Sequence, residues 1–222
     1  MSRQKLSRNV ALAEGRAVFE IMTICTGNIC RSPLAELVLR TRLVDLGGMV
    51  HSAGIRGLTG APMTGEAIGL ALARGVAEAD ARAHRARFLT EQHLVSADLI
   101  LTMSREHRRA VAELAPGRLR STFTVREFAR LARALSDERI IAAADSADAT
   151  DAAARLRAAS AVIADQRGLA LPPSDPTVDD VTDPYRRSQR EYELSAAQLD
   201  PAIDEVVRVA RLSRPRHTAV PD

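Results

Sequence analysis

Apolar positions along this chain follow two different spacings. VFEIMTI, from Val18 to Ile24, and ADLILTM, residues 97–103, are almost unbroken apolar or β-branched runs. Such runs suit strands covered on both faces, as in a parallel sheet. Leu34, Leu37 and Val38 instead recur at helical spacing after Pro33, a residue tolerated in a first helical turn, and Gly47-Gly48 ends that segment. Met49 to Ala53 predicts a second strand, 64–75 a helix, Ser104 to Leu114 a helix stopped by Pro116-Gly117, and STFTV (121–125) a last strand. This alternation predicts a compact α/β domain built on parallel strands.

The rest of the chain breaks the pattern. Residues 1–17 are polar and predict a flexible extension. The stretch of about 135–176 is Ala-rich with scattered Asp and Arg, and ends in the loop-like LALPPSDPT. Within it, 148–166 can form an amphipathic helix. The stretch is read as an insertion in a domain spanning 18–212, because a segment of about 40 residues rarely holds a core alone. A final helix over 188–212 carries Tyr192, Leu199, Ile203, Val206 and Val207, and 213–222 reads as a disordered tail.

Composition narrows the classes of function. Of 222 residues, 46% are hydrophobic and 27% charged, as in an ordinary globular protein. No apolar run reaches the roughly 18–20 residues of a membrane span, and the N-terminus lacks a secretory h-region. The expected location is therefore the cytoplasm, with no membrane contact. Net charge is +3 and Lys5 is the only lysine. With 3% aromatic residues and no Trp, nucleic-acid binding is disfavoured. Basic charge suits an acidic or phosphorylated partner. Cys25 and Cys30 are the only cysteines, too few for a disulfide framework, and their spacing is not that of a zinc site.

The chemistry concentrates where the first strand gives way to a helix, at Cys25-Thr26-Gly27-Asn28-Ile29-Cys30-Arg31-Ser32-Pro33. Consecutive backbone N–H groups in such a loop can converge on an anion, and the helix dipole adds positive potential there. A thiol in that field favours the thiolate, the form that attacks. Arg31 offers a planar fork matched to two phosphoryl oxygens. Gly27 is expected to permit a backbone turn that a side chain would obstruct. Ser32 can hydrogen-bond the sulfur and ease its departure in a second step.

CTGNICRSP resembles the phosphate-binding loop of the low-molecular-weight protein-tyrosine phosphatases almost letter for letter. The similarity continues in HSAG (51–54), read as a turn after the second strand, in HRAR (84–87), in ADLILTM with His107, and in DPY (183–185) before the last helix. It extends over most of 18–125 and 179–212. The resemblance implies a single-domain three-layer α/β sandwich of the phosphotyrosine phosphatase I type, with a four-stranded parallel sheet and no metal or cofactor. It implies Cys25 as nucleophile, Arg31 as clamp, and phosphate binding by Thr26, Gly27, Asn28, Ile29, Cys30 and Ser32. It also implies that Ser52 and His84 help Asn28 hold the loop, and that Tyr185 flanks a phosphotyrosine at the cleft mouth.

The family's general acid is the Asp of a late Asp-Pro pair, here Asp183-Pro184. Asp175-Pro176, Asp200-Pro201, Asp179 and Asp180 are rivals, since Asp-Pro is also a plain turn signal. Only Asp183 has both the following Tyr and a place just before the final helix. Thr64 stands where the family often has Asp and is expected to cap a helix. Leu58 replaces a Trp common in eukaryotic members and points to the bacterial subgroup associated with tyrosine kinases. His51, His93, His107 and His217 show no metal-ligand spacing and receive no role. The expected activity is hydrolysis of phosphotyrosine in a protein, such as a bacterial tyrosine kinase. Two alternatives stay open: an arsenate reductase using an external small-molecule thiol, and a phospho-ligand-binding pseudoenzyme. Oligomeric state and any Cys25–Cys30 disulfide are not fixed by the sequence.

Overall fold

A computed structural model describes residues 18–214. Four strands form the sheet: β1 (Phe19–Cys25), β2 (Gly48–Gly54), β3 (Leu99–Thr102) and β4 (Thr122–Thr124). Every pairing is parallel and the order is β2-β1-β3-β4, so β1 is central. Cys25 pairs with Gly54 at the end of β1, and Ile24 with Thr102. The C-terminal ends of three strands thus meet at one edge, where α/β sheets place their ligands.

The helices are α1 (Arg31–Leu43), α2 (Gly65–Leu72), α3 (Glu78–Ala83), α4 (Glu91–Val95) and α5 (Arg105–Leu114), then α6 (Val125–Arg133), α7 (Asp137–Asp145), α8 (Ala152–Asp165) and α9 (Gln189–Leu212). Strand residues alternate between two apolar layers. Ile21, Leu99, Leu101 and Phe123 join the larger core with Leu37, Phe128, Ile163 and Val206. Met22, Ile24 and Ile100 join the smaller one with Leu94 and Val111. Burial on both faces explains why these strands read as continuous apolar runs.

Several boundaries shift. The helix begun at Arg31 ends at Leu43, and one 3-10 turn carries the chain to Gly47, whose φ of 69° needs glycine. The segment 51–54 is not a turn but the last half of β2. Asp200-Pro201 is not a turn either: it lies inside α9, where Asp200 pairs with Arg74 at 2.7 Å. Thr64 caps α2 as expected, its side chain accepting from the Ala67 N–H. Ser213 is 2% exposed and accepts from Arg155 Nε through its carbonyl, so it packs with the domain. The extension 1–17 and residues 215–222 of the tail lie outside the described residues.

The stretch 135–176 folds into α7 and α8, joined by a short turn. Leu156, Ala159 and Ile163 of α8 enter the larger core. Arg157 pairs with Asp98, just ahead of β3, and the buried Arg155 pairs with Asp145. Asp98 also accepts from the backbone N–H of Glu20 at 2.8 Å. These contacts set α8 at the N-terminal end of the sheet, away from Cys25.

Candidate active site

β1 delivers Cys25 to the sheet edge, and the chain turns through 26–30 into α1, whose first residue is Arg31. Cys25 is 2% exposed. Its Sγ accepts hydrogen bonds from Ser32 Oγ at 3.0 Å and from the Asn28 N–H at 3.3 Å. The two donors converge on the sulfur, one from the loop and one from the first turn of α1.

Asn28, not Gly27, takes the left-handed turn, with φ 59°. A Cβ at Gly27 would meet nothing closer than 3.5 Å, so the expectation that a side chain there obstructs the loop is wrong. Against this loop the constrained glycine is Gly54, where a Cβ would fall 2.4 Å from the Thr26 carbonyl oxygen. That contact crosses from β2 to the loop, and the sequence alone did not mark it.

Asn28 is fully buried and all its polar atoms are used. Its Nδ2 donates to Ser32 Oγ at 3.0 Å and Ser52 Oγ at 2.7 Å, and its Oδ1 accepts from the Arg87 N–H at 2.8 Å. Its carbonyl lies 2.8 Å from His84 Nε2. Ser52 in turn donates to the buried Glu36 carboxylate, which sits 3.8 Å from His84 Nδ1. Burial lowers the His84 pKa, with bonding to Asn28 and the charge of Glu36 acting against it. Ser52 and His84 are thus brought to the loop, together with Glu36, which the sequence reading did not single out.

Arg31 is 5% exposed at its side chain, and its guanidinium is fixed at three points. NH1 donates to the Val181 carbonyl at 3.1 Å, and NH2 donates to Thr26 Oγ1 at 3.3 Å and Asp183 Oδ2 at 2.6 Å. The rival acids are engaged elsewhere. Asp179 pairs with Arg130, Asp180 with Arg105 and Asp200 with Arg74, while Asp175 caps the turn at Thr177. Tyr185 donates its N–H to Asp183 Oδ1 at 3.2 Å.

His107 also belongs here, although no role was read for it. Its Nε2 lies 2.9 Å from Thr26 Oγ1 and its Nδ1 2.8 Å from Ser104 Oγ. Burial, then the charge of Arg31, pushes its pKa down to about 3. Cys30 is buried against Tyr192 and Thr64, and burial raises its thiol pKa. Both cysteines are free thiols.

A cavity of about 150 Å³ opens over this loop, bordered by Cys25, Ile29, Arg31, Leu58, Asp183 and Tyr185. A wider polar cleft of about 570 Å³ also borders Arg31 and Asp183. The small cavity joins a thiol, a cation and a carboxyl group to apolar walls.

Residues 20–138 match the family described as low molecular weight phosphotyrosine protein phosphatase, and the chain belongs to that family. It is 43% identical over 96 residues to the low molecular weight protein-tyrosine-phosphatase Etp of Escherichia coli K12, covering 43% of this chain and 62% of Etp. The match thus spans less than two thirds of that relative. The chain is 31% identical over 110 residues to a protein-arginine-phosphatase of Geobacillus stearothermophilus, covering 50% of this chain and 71% of the relative. Its fold matches the crystal structure of a low molecular weight protein tyrosine phosphatase from T. tengcongensis. The TM-score is 0.58 and the identity 26%, covering 85% of this chain and 97% of that one. The matched family stretch stops at 138, so the place of Asp183 rests on its contact with Arg31.

Proposed function

We propose that this protein is a cysteine-dependent phosphatase that hydrolyses phosphotyrosine in proteins through a cysteinyl-phosphate intermediate. One observation carries the reading: Cys25 Sγ, bonded by Ser32 and the Asn28 N–H, borders a cavity shared with Arg31 and Asp183. In this reaction the Cys25 sulfur attacks phosphorus, and the bond from phosphorus to the tyrosine oxygen breaks. Asp183, as the carboxylic acid, gives its proton to that leaving oxygen. Arg31 and the loop N–H groups of 26–32 hold the phosphoryl oxygens as charge develops on them. The Asp183 carboxylate then takes a proton from water, whose oxygen attacks phosphorus. The S–P bond breaks, and the Ser32 hydroxyl bonds the departing Cys25 sulfur.

Ile29, Leu58 and Tyr185 supply apolar walls beside the reactive sulfur. An aromatic ring fits such walls, whereas a phosphoarginine would bring polar N–H groups against them, with Asp183 as the acid to accept them. No cysteine follows Cys30, which argues against an arsenate reductase that relays a disulfide through further cysteines, and the variant using an external small-molecule thiol is separated by assay. The proposed partner is a tyrosine-phosphorylated protein, such as a bacterial tyrosine kinase, in the cytoplasm. Among the described residues no helix is long and apolar enough to cross a membrane.

The test is turnover of p-nitrophenyl phosphate and a phosphotyrosine peptide without added metal, with chelator, and with vanadate as inhibitor. Cys25→Ser is expected to abolish turnover while still binding phosphate. Near wild-type activity in that variant would overturn the assignment. So would thiol-dependent arsenate reduction or phosphoarginine hydrolysis in place of aryl phosphate turnover.

A further inference from the structure

Most arginines near the folded core have a carboxylate partner: Arg74 has Asp200, Arg130 has Asp179 and Arg157 has Asp98. Among the arginines without one are three next to residues of the small cavity's wall. Arg56, Arg186 and Arg187 are exposed, and among the described residues none lies within ion-pair distance of an acid. Arg56 sits on the loop after β2, where its N–H donates to the Thr26 carbonyl at 2.9 Å, two residues ahead of the cavity wall at Leu58. Arg186 and Arg187 follow Tyr185, another residue of the cavity wall. Arg56 is thus tied by its backbone to Thr26 of the wall, and the Arg186 guanidinium lies over the ring of Tyr185. Asp183 and Glu191, each four residues from Arg187 along the chain, make no ion pair with it.

Arg186 is also held in a costly backbone state. Its φ is 60°, a left-handed conformation that glycine or asparagine takes more readily. Its guanidinium carbon lies 5.2 Å from the centre of the Tyr185 ring, so the strained residue keeps its charge beside the cavity wall. Strain kept where a neutral glycine would relieve it is a pointer to function.

We infer that this rim selects phosphotyrosines embedded in acidic protein sequence. As the phosphorylated ring enters beside Leu58 and Tyr185, carboxylates on the flanking residues pair with Arg56, Arg186 and Arg187. Each such pair is exposed and weak, so selection comes from their sum and fades with salt. The partner this surface fits is an acidic, tyrosine-phosphorylated segment of another protein. The inference rests on the phosphatase reading of the same cavity.

The experiment compares kcat/KM for two phosphotyrosine peptides of equal length, one with Asp and Glu flanking the phosphotyrosine, the other with Ser and Ala. p-Nitrophenyl phosphate is run alongside as a substrate without flanks. At low ionic strength the acidic peptide is expected to be preferred by about tenfold, falling to about twofold in high salt. The triple variant Arg56→Gln/Arg186→Gly/Arg187→Gln is expected to bring the ratio close to one, and the wild-type salt dependence stands as evidence even where that variant folds poorly. Equal handling of both peptides by wild type, with p-nitrophenyl phosphate still hydrolysed, overturns the rim and leaves the phosphatase reading intact. A preference that persists in high salt or in the variant also overturns it. Failure of wild type to hydrolyse p-nitrophenyl phosphate overturns both.

Discussion

Asp183 Oδ2 lies 2.6 Å from the Arg31 guanidinium, so the proposed acid is bonded to the proposed clamp. A phosphoryl oxygen seeking the same donor must displace that carboxylate. Asp183 is 51% exposed at its side chain and Arg31 5%, so the aspartate is the partner free to move. Val181 and Thr26 keep the guanidinium where it is.

Removing this carboxylate has two opposite effects. Asp183→Ala is expected to lower kcat on a phosphotyrosine peptide by about 10²–10³-fold, and less on p-nitrophenyl phosphate, whose leaving group needs no proton. Inhibition by inorganic phosphate is expected to tighten severalfold, because a competing acceptor on Arg31 is gone. A weaker inhibition constant in the variant would show that the pair does not hold Arg31 back from phosphate.

His107 reaches Arg31 through Thr26. Burial keeps the imidazole neutral, so one ring nitrogen donates and the other accepts. Nδ1 bonds with Ser104 Oγ and Nε2 with Thr26 Oγ1, and the same Thr26 oxygen accepts from the Arg31 NH2. His107 is thus a positioning residue for the clamp. His107→Leu is expected to raise KM and the phosphate inhibition constant by about tenfold, the worth of a typical hydrogen bond, with a smaller change in kcat. Thr26→Ser, which keeps the hydroxyl, is expected to stay near wild type where Thr26→Val is not. Matching losses in both Thr26 variants would reduce the contact to packing.

The partly buried His51 and the buried His107 also bear on the acid limit of stability. His51 is pushed down to about 4 and His107 to about 3, in each case chiefly by burial. The unfolded chain takes up these protons near pH 6.5, while the folded chain refuses them until about pH 4 or 3. Stability is therefore fully present above pH 6.5 and is lost as pH falls through that window, by about 2 kcal/mol per histidine at pH 5. Thermal unfolding between pH 7.5 and 5 is expected to show Tm falling. A flat profile would show the rings to be more solvated than their burial implies.

Two glycines offer a contrast within one loop system. Gly54→Ala would drive a Cβ into the Thr26 carbonyl at 2.4 Å, and is expected to cost about 2–3 kcal/mol and most of the phosphate affinity. Gly27→Ala meets only ordinary contact at 3.5 Å and is expected to cost less than about 1 kcal/mol. Chemical denaturation with phosphate inhibition separates the two; equal costs would mean the loop yields where it looks rigid.

The strands were legible because burial on both faces writes them as continuous apolar runs, and the loop because its residue types are dictated by anion chemistry. α3 and α4 were missed, being six- and five-residue helices too short to display an apolar stripe. α6 was missed although its signal was present: Thr124 and Glu127 form a capping box, and Val125, Phe128 and Leu131 share a face. Reading Val125 as the end of a strand hid that start. The site divides in the same way. Cys25, Arg31 and Ser32 lie within one string, whereas His107 meets Thr26 across 81 residues and Glu36 acts on Asn28 through Ser52. No local pattern encodes such pairings. The role expected of Gly27 failed because Asn28 absorbs the left-handed turn and secures it with its own side chain.

The bonding of Asn28 has a consequence for turnover. With every polar atom of that side chain engaged inside the protein, the loop keeps its shape without help from a guest. A cradle already formed for a phosphoryl group fits the free anion equally well once the reaction is over. Inorganic phosphate, the end product of the proposed reaction, is thereby expected to be a standing competitor, tying the rate of that reaction to the phosphate level around the protein.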